Sequence, residues 1–462
     1  MTILLTTLRA CAAALLLAGS AAAFASTPAG DDPVATLQAA YARSVKPGEQ
    51  ADLHRDLVAT VLGRVQRSYA HDVDLPAFVA AAMKVLEPLP AAAGEPAQVF
   101  ARAINAGLGT LDPYSRYLDP KAYGNVRSEW NGSFGGLGLQ VEAGDGVVRV
   151  VSPMPDGPAA RAGLLAGDLI LRLDDQPLAG VPLSDAIARM RGQPGTPIAI
   201  TIRRPGVEQE FTVSVTRDTI RRQVLRWNME GDVLVLRLSS FTGPVAAALE
   251  QAIAEATRAH APRGVVLDMR GNGGGLLREA VSIADVFLRD GEIVSLRGRS
   301  GASQRSWKAE PAELLAGVPM VVLVDARSAS ATELVAAALQ EHGRATVMGQ
   351  RSFGKGTVQS TFVLGEHKGA LKLTTSTYHG PSGRSVQKTG VTPDIELLGP
   401  ATKAASSGDT AQAAKVRVDQ ARCAAVLKQA DPGLSCAVDY VRAEGVDAFL
   451  ASLPPPLPVL RD

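Results

Sequence analysis

Two short segments carry residue types that could do chemistry together. The first is Ser328-Ala329-Ser330-Ala331-Thr332-Glu333; the second is Phe353-Gly354-Lys355-Gly356-Thr357-Val358-Gln359. A serine hydroxyl is inert near neutral pH unless a base removes its proton. A lysine can be that base once burial disfavours its charged form and lowers its pKa. Gly354 and Gly356 flank Lys355 and would let its backbone approach a neighbour closely. The same residues have a plainer reading. Ser330 with Glu333 is also S-x-x-E, a capping box at a helix start, and a single lysine is more often solvated than buried. Pattern alone favours the cap.

Other chemistry finds less support. The chain has no G-x-S-x-G, so no nucleophile elbow is visible. It has no H-E-x-x-H and only six scattered His, which leaves a zinc site unsupported. No G-x-x-x-x-G-K-[ST] loop is present, and the glycines at 271–275 lack dinucleotide-binding spacing.

The elements that must position the two segments can be read from periodicity. Strands at 233–238, 264–269, 320–324 and 345–348 alternate with helices at 243–259, 276–288 and 332–340, which predicts an α/β sheet core. The first segment falls between the strand ending at Val324 and the helix from Thr332; the second is a loop entering a strand. Residues 131–217 differ in texture. Strands at 137–141, 147–151, 169–173, 198–202 and 211–215, with one helix at 183–190, predict a small, mostly β domain. Residues 33–108 show helical spacing, as in Val34, Leu37 and Tyr41 and then Leu57, Val58, Val61, Leu62 and Val65. After residue 400 the sequence reads as a linker, a short helical tail and a closing polyproline run.

The chain has 462 residues, 46% hydrophobic and 20% charged, which fits two to four globular domains. Lys plus Arg is 47 against Asp plus Glu 46. That balance argues against a nucleic-acid partner, whose affinity comes largely from basic excess. Arg9 is the only charged residue among the first 25; an Ala-rich apolar run follows it, and Ala23-Phe24-Ala25 fits a small-x-small cleavage site. The run is shorter than the ~20 residues of a membrane span, so an exported, periplasmic or secreted protein is expected, with an uncleaved membrane anchor as the alternative. Cys11 would leave with this signal peptide. Cys423 and Cys436 remain, and in an oxidising compartment they read as a disulfide rather than two free thiols.

Taken with further blocks, the two segments resemble the carboxyl-terminal processing proteases, or tail-specific proteases. That family's S-A-S-x-x-E corresponds to residues 328–333 and its F-G-K-G-x-x-Q to 353–359. Leu267-Asp268-Met269-Arg270-Gly271-Asn272-Gly273-Gly274-Gly275 resembles its D-L-R-x-N-P-G-G, with Gly273 where proline is usual. The blocks Leu111-Asp112-Pro113-Tyr114-Ser115, Leu373-Thr374-Thr375 through Pro381-Ser382-Gly383-Arg384, and Gly390-Val391-Thr392-Pro393-Asp394-Ile395 fall in the family's order. The middle domain resembles a PDZ domain, through Gly135-Gly136-Leu137-Gly138-Leu139, Ala162-Gly163-Leu164 and Gly167-Asp168-Leu169-Ile170.

The resemblance implies an α/β multidomain protein. Its expected parts are a signal peptide at 1–25, a helical N-terminal region at 26–130, a PDZ-like domain at 131–217, an α/β serine peptidase core at 218–399, and a linker and tail at 400–462. It implies Ser330 as nucleophile, Lys355 as general base and Gln359 as the residue that positions the lysine. The oxyanion donors expected are Ala331 N–H and Gly274 N–H, with Gly275 as the alternative. Amides of Leu137, Gly138 and Leu139 would hold a peptide's terminal carboxylate, as a nest of backbone N–H groups beside an open strand edge can. The expected partners are protein or peptide substrates with free C-termini; a homo-oligomer or an activating partner is left open. No metal or organic cofactor is implied. Two other classes stay open from the residues: a catalytically silent PDZ adaptor, and a structural envelope protein whose Ser330 only caps a helix.

Overall fold

The structure, a computed structural model, describes residues 32–90, 94–144, 147–301, 303–399, 414–423, 431–443 and 445–454. The expected signal peptide lies outside these residues, as does most of the expected linker. Four helices open the described chain: α1 Pro33–Ser44, α2 Glu49–Ser68, α3 Leu75–Leu86 and α4 Pro96–Leu108. Strand β1 Arg116–Leu118 and helix α5 Pro120–Trp130 follow, then β2 Ser133–Gly136. The middle domain holds β3 Leu139–Gly144, β4 Val147–Pro153, α6 Pro158–Arg161, β5 Leu169–Leu173, β6 Gln176–Pro177, α7 Leu183–Met190, β7 Pro197–Arg203 and β8 Phe211–Thr216. The chain leaves it through β9 Asp218–Arg221, which pairs antiparallel with β2. Entry and exit are therefore one two-stranded ribbon.

The main body follows as β10 Leu225–Glu230, β11 Val233–Leu238, α8 Val245–Ala259, β12 Gly264–Asp268, α9 Leu277–Phe287, β13 Glu292–Arg297, β14 Ser303–Lys308, β15 Met320–Val324, α10 Ala331–Glu341 and β16 Thr346–Gly349. It continues through β17 Thr357–Val363, β18 Ala370–His379 and β19 Ile395–Leu398, then β20 Val416–Asp419, α11 Pro432–Arg442 and α12 Val446–Ser452. A seven-stranded sheet has the order β10-β11-β12-β15-β16-β19-β20. Only the β10–β11 pair is antiparallel. Strands β12 and β15 are apolar without alternation apart from Gly264 and Asp268, and every residue in them is buried. Such runs belong in a parallel sheet covered on both faces.

One face, with Leu234, Leu236, Leu267 and Val322, packs against α8, α9 and α10. The other face, with Val233, Val266, Val321 and Leu323, is covered by α11 and α12. The C-terminal segment is thus part of the sheet and its cover. It is not the appendage beyond the core that the sequence suggested. Its Cys423 and Cys436 are joined as a disulfide, with Cα atoms 5.0 Å apart.

A second, antiparallel sheet was not foreseen as a unit. Strand β18 pairs with β17 along one edge and with β1 and β13 along the other, and β14 adds to β13. Leu371 and Leu373 of β18 enter the core formed by α1 to α4. Tyr378 of the same strand enters the core of the main body. This sheet fastens the helical N-terminal region to the sheet that carries Ser330. Among the described residues, no helix is long and apolar enough to cross a membrane.

Candidate active site

Ser330 is the N-cap of α10, at φ +59° and ψ −116°. A non-glycine residue there is strained and persists only where its surroundings impose it. Those surroundings are specific. Glu333, with no solvent exposure, accepts the Ser330 N–H at Oε2, 2.7 Å away, closing that arm of the capping box. The Ser330 hydroxyl faces the Glu333 N–H as the other arm of the expected capping box, in a geometry looser than an ordinary hydrogen bond. The same carboxylate accepts the Lys355 N–H at 2.8 Å, the Gly354 N–H at 2.6 Å and the Ser352 hydroxyl at 2.6 Å. Tyr378, also buried, places its hydroxyl 2.9 Å from the carbonyl oxygens of both Ser330 and Lys355. Burial raises the Tyr378 pKa well above its usual value, which keeps the group a donor. Two buried side chains therefore clamp the segments that the sequence singled out separately.

The glycine-rich loop after β12 lies against the same helix start. A Cβ on Gly274 would fall 2.9 Å from Ser330 Cβ and 3.0 Å from Ala331 N, and its φ is +101°. Only glycine fits there. Buried Asn272 organises the contact. Its carbonyl accepts from Ala329 N–H and the Thr332 hydroxyl, and its side chain donates to the Leu238 carbonyl. Its Oδ1 accepts the Gly274 N–H at 2.9 Å, so in this conformation the expected oxyanion donor at Gly274 is already engaged. The N–H groups of Ala331 and Gly275 have no partner among the described residues, and Gly275 is exposed. Ala331 N–H is the first of an 11-residue helix, where unpaired donors and the helix dipole favour developing negative charge.

Lys355 follows the loop that approaches residues 385–388. A Cβ on Gly356 would fall 2.7 Å from Gln387 N, and one on Gly354 would meet the Lys388 carbonyl carbon at 3.0 Å. The lysine is largely buried, with Nζ 4.4 Å from the centre of the Tyr114 ring. Burial pushes its pKa below the ordinary lysine range; Asp112 and Glu333 pull it back, and Arg116 adds to the fall. Gln359 does not bond to Lys355. Its amide donates to the hydroxyls of Thr357, at 3.0 Å, and Thr374, at 3.2 Å. Sequence reading missed Tyr114 as a wall, Tyr378 and Asn272 as fasteners, and the wider role of Glu333. The signal for Tyr114 was the block at 111–115, noted without a function.

In the middle domain, Leu137 and Gly138 form the turn between β2 and β3, with Gly138 at φ +68°. Their carbonyls accept from Ala159 N–H and Met154 N–H, and their own N–H groups have no partner among the described residues. Strand β3, starting at Leu139, is an edge of its sheet, paired only with β4. Unpaired amides beside an open edge are what strand addition of a peptide requires. Among the described residues, no cluster of His, Cys, Asp and Glu has the composition to hold a metal ion.

Comparison with known proteins agrees with this layout. Residues 232–397 match Peptidase family S41, and residues 135–215 match the PDZ domain family. A carboxy-terminal-processing protease of Bartonella bacilliformis is 44% identical over 307 residues, covering 66% of this chain and 70% of that protein. The carboxy-terminal processing protease CtpA of Bacillus subtilis is 32% identical over 315 residues, covering 66% and 67%. Among solved structures, a photosystem II D1 C-terminal processing protease aligns at 26% identity and a TM-score of 0.47, over 76% of this chain and 94% of that one. With a PDZ domain leading into a peptidase core, and relatives at 32–44% identity covered over two thirds or more of their own length, this chain belongs to the carboxy-terminal-processing proteases, serine peptidases of family S41.

Proposed function

We propose that the chain is an exported endopeptidase that recognises protein C-termini through its PDZ domain and cleaves with a Ser330–Lys355 dyad. The observation that carries this reading is the shared clamp: one buried carboxylate, Glu333, binds the backbone N–H of both residues. A helix cap alone would not need the second segment. Lys355, its charged form disfavoured by burial, would take the proton from Ser330, which attacks the peptide carbonyl and forms an acyl-enzyme. Ala331 N–H with Gly275 N–H would receive the oxyanion, Gly274 being tied to Asn272. Among the described residues no hydrogen bond joins Lys355 to the Ser330 hydroxyl, so the pair must tighten when substrate binds, as catalytic contacts often do. Gln359 would act at one remove, through Thr374 and Thr357. Export is supported by the leader-like first 25 residues and by the Cys423–Cys436 bond, which suits an oxidising compartment.

The test uses an unfolded protein with an apolar C-terminus as substrate. Wild type should cleave it, and Ser330→Ala and Lys355→Ala should each abolish cleavage while melting like wild type. Turnover by Lys355→Ala within about tenfold of wild type would remove the lysine from the mechanism.

A further inference from the structure

The block at 111–115, between α4 and β1, is fixed from several sides. Asp112 accepts the Tyr114 N–H at 2.7 Å, the Ser115 N–H at 2.8 Å and the Ser115 hydroxyl at 2.7 Å. The Leu111 carbonyl accepts the Tyr69 hydroxyl at 2.7 Å, and the Ser115 hydroxyl accepts the Thr374 N–H of β18 at 3.1 Å. Pro113 locks one more backbone angle. The turn therefore holds the backbone of Tyr114 in one place. The Tyr114 hydroxyl has no partner among the described residues, so what the turn offers is the face of the ring.

Lys355 reaches that face. Its Nζ lies 4.4 Å from the ring centre, within the range where an aromatic quadrupole attracts a cation. The lysine's backbone is held as firmly, since Glu333 accepts its N–H and Tyr378 donates to its carbonyl. Among the described residues its ammonium has no hydrogen bond and no ion pair, and it does not bond the Ser330 hydroxyl. The charged groups that face it are Asp112 before β1, Arg116 on β1, Glu333 of α10 and Lys372 of β18. The oxygens of the two acids are taken by backbone and hydroxyl donors. The ring is left as the ammonium's direct partner. A ring face attracts an ammonium far more than an amine, whereas only the amine can take a proton from a serine.

We infer that Tyr114 is a positioning residue for the reaction: its ring holds the Lys355 ammonium off the Ser330 hydroxyl and lets the side chain go to the serine once the proton is lost. This rests on the Ser330–Lys355 reading above. A hold on the charged form opposes proton loss. Weakening the ring's attraction should therefore free the neutral base at lower pH and speed the reaction there, the reverse of what damage to a site does.

The test replaces Tyr114, in the full chain, by Phe, by a phenylalanine carrying three ring fluorines, which keeps the shape but removes the negative face, and by Leu. Two quantities are followed: kcat/KM against pH for a short peptide, and the NMR of 13Cε-labelled Lys355 in a Ser330→Ala background, read for its ring-current shift and its titration. The ring-current shift should be present with each aromatic ring and lost in Tyr114→Leu. Tyr114→Phe should leave the titration and the rate limb where they are. The fluorinated ring should move both downward by about half to one pH unit, a roughly three- to tenfold gain of rate on the limb, with the high-pH plateau kept. If Tyr114→Leu melts early, the two phenylalanines, nearly equal in shape, carry the comparison. A Lys355 titration that is the same with the plain and the fluorinated ring overturns the inference and leaves the dyad intact. So does the absence of a ring-current shift in the protein with its own Tyr114. A lowered plateau with limb and titration unmoved also overturns it, because a merely structural ring would behave so. A Lys355 titration that moves without the rate limb overturns the dyad reading, and this inference with it.

Discussion

Glu333 has no exposure and four donors around it, so its oxygens are fully used. Glu333→Gln would turn an NH₂ toward these donors; the Ser352 hydroxyl can turn to accept from it, but at least one N–H is left unpaired. Each buried unpaired group costs roughly 1–3 kcal/mol. The variant should therefore lose about 1–3 kcal/mol of stability and most of its activity; thermal melts and peptide hydrolysis measure both, and wild-type melting would exclude the clamp. Gly274→Ala should cost both stability and rate, because its Cβ meets Ser330 and Ala331 directly at a φ of +101°. The backbone strain should lower the stability seen in the melt by roughly 1–3 kcal/mol, and kcat should fall roughly 10²-fold in the protein that remains folded, since small displacements of a reacting group are that costly. In pH dependence, the base proposed above acts as the neutral lysine. Burial lowers the Lys355 pKa, so the rate should rise with pH along a limb lying below the roughly 10.4 of a free lysine. A limb near pH 4 would point to a carboxylate base instead. At this scale the sequence showed Ser330 and Lys355 but read Glu333 only as a cap. Its other three donors come from residues 19 to 22 positions away, beyond any local pattern.

Among the elements, those with strong periodicity were legible. The expected strands at 169–173, 233–238 and 320–324 and the helix at 183–190 have the observed limits. What escaped was pairing. Strand β18 touches β1, β13 and β17, and no spacing in the sequence says which partner a strand will choose. The C-terminal segment escaped too, because β20 is four residues long and α11 shows its purpose only against the sheet face it covers. That cover is fastened by Cys423 and Cys436, 13 positions apart in sequence. Closing a loop of this size stabilises by about 3 kcal/mol in the chain-entropy account. Cys436→Ala should accordingly melt earlier than wild type in oxidising buffer and alongside it under reductant. Equal melting without reductant would mean that α11 holds its place by packing alone.

For the molecule as a whole, the ribbon of β2 and β9 makes the PDZ domain a separable insertion with its own core. Gly136 and Asp218 are direct partners at the ribbon's end. Replacing residues 137–217 by Asn-Gly would close the ribbon as a two-residue hairpin. The shortened enzyme should still cut a short peptide, within a few fold of wild type. It should no longer prefer a free-acid protein substrate over the same substrate with an amidated C-terminus, a preference the intact enzyme should show, because charge-assisted bonds to the carboxylate contribute about 1.5–3 kcal/mol each. Retained discrimination would place C-terminus reading outside the PDZ domain.

The sheet that joins β1 to β18 also sets a time at which activity can begin. Arg116 pairs with Lys372, and the Ser115 hydroxyl accepts the Thr374 N–H, across some 250 residues of chain. Contacts so distant in sequence form late, after the loop-closure entropy of everything between them has been met. Tyr378, which holds both Ser330 and Lys355, belongs to that strand. A nascent or unfolded chain therefore has a serine and a lysine but no means of bringing them together, and copies of the protein refolding side by side are substrates before any of them is an enzyme. Peptidase activity should return with the slowest refolding phase, well after the helical signal, and the latest folders in a concentrated sample should be the ones found cut.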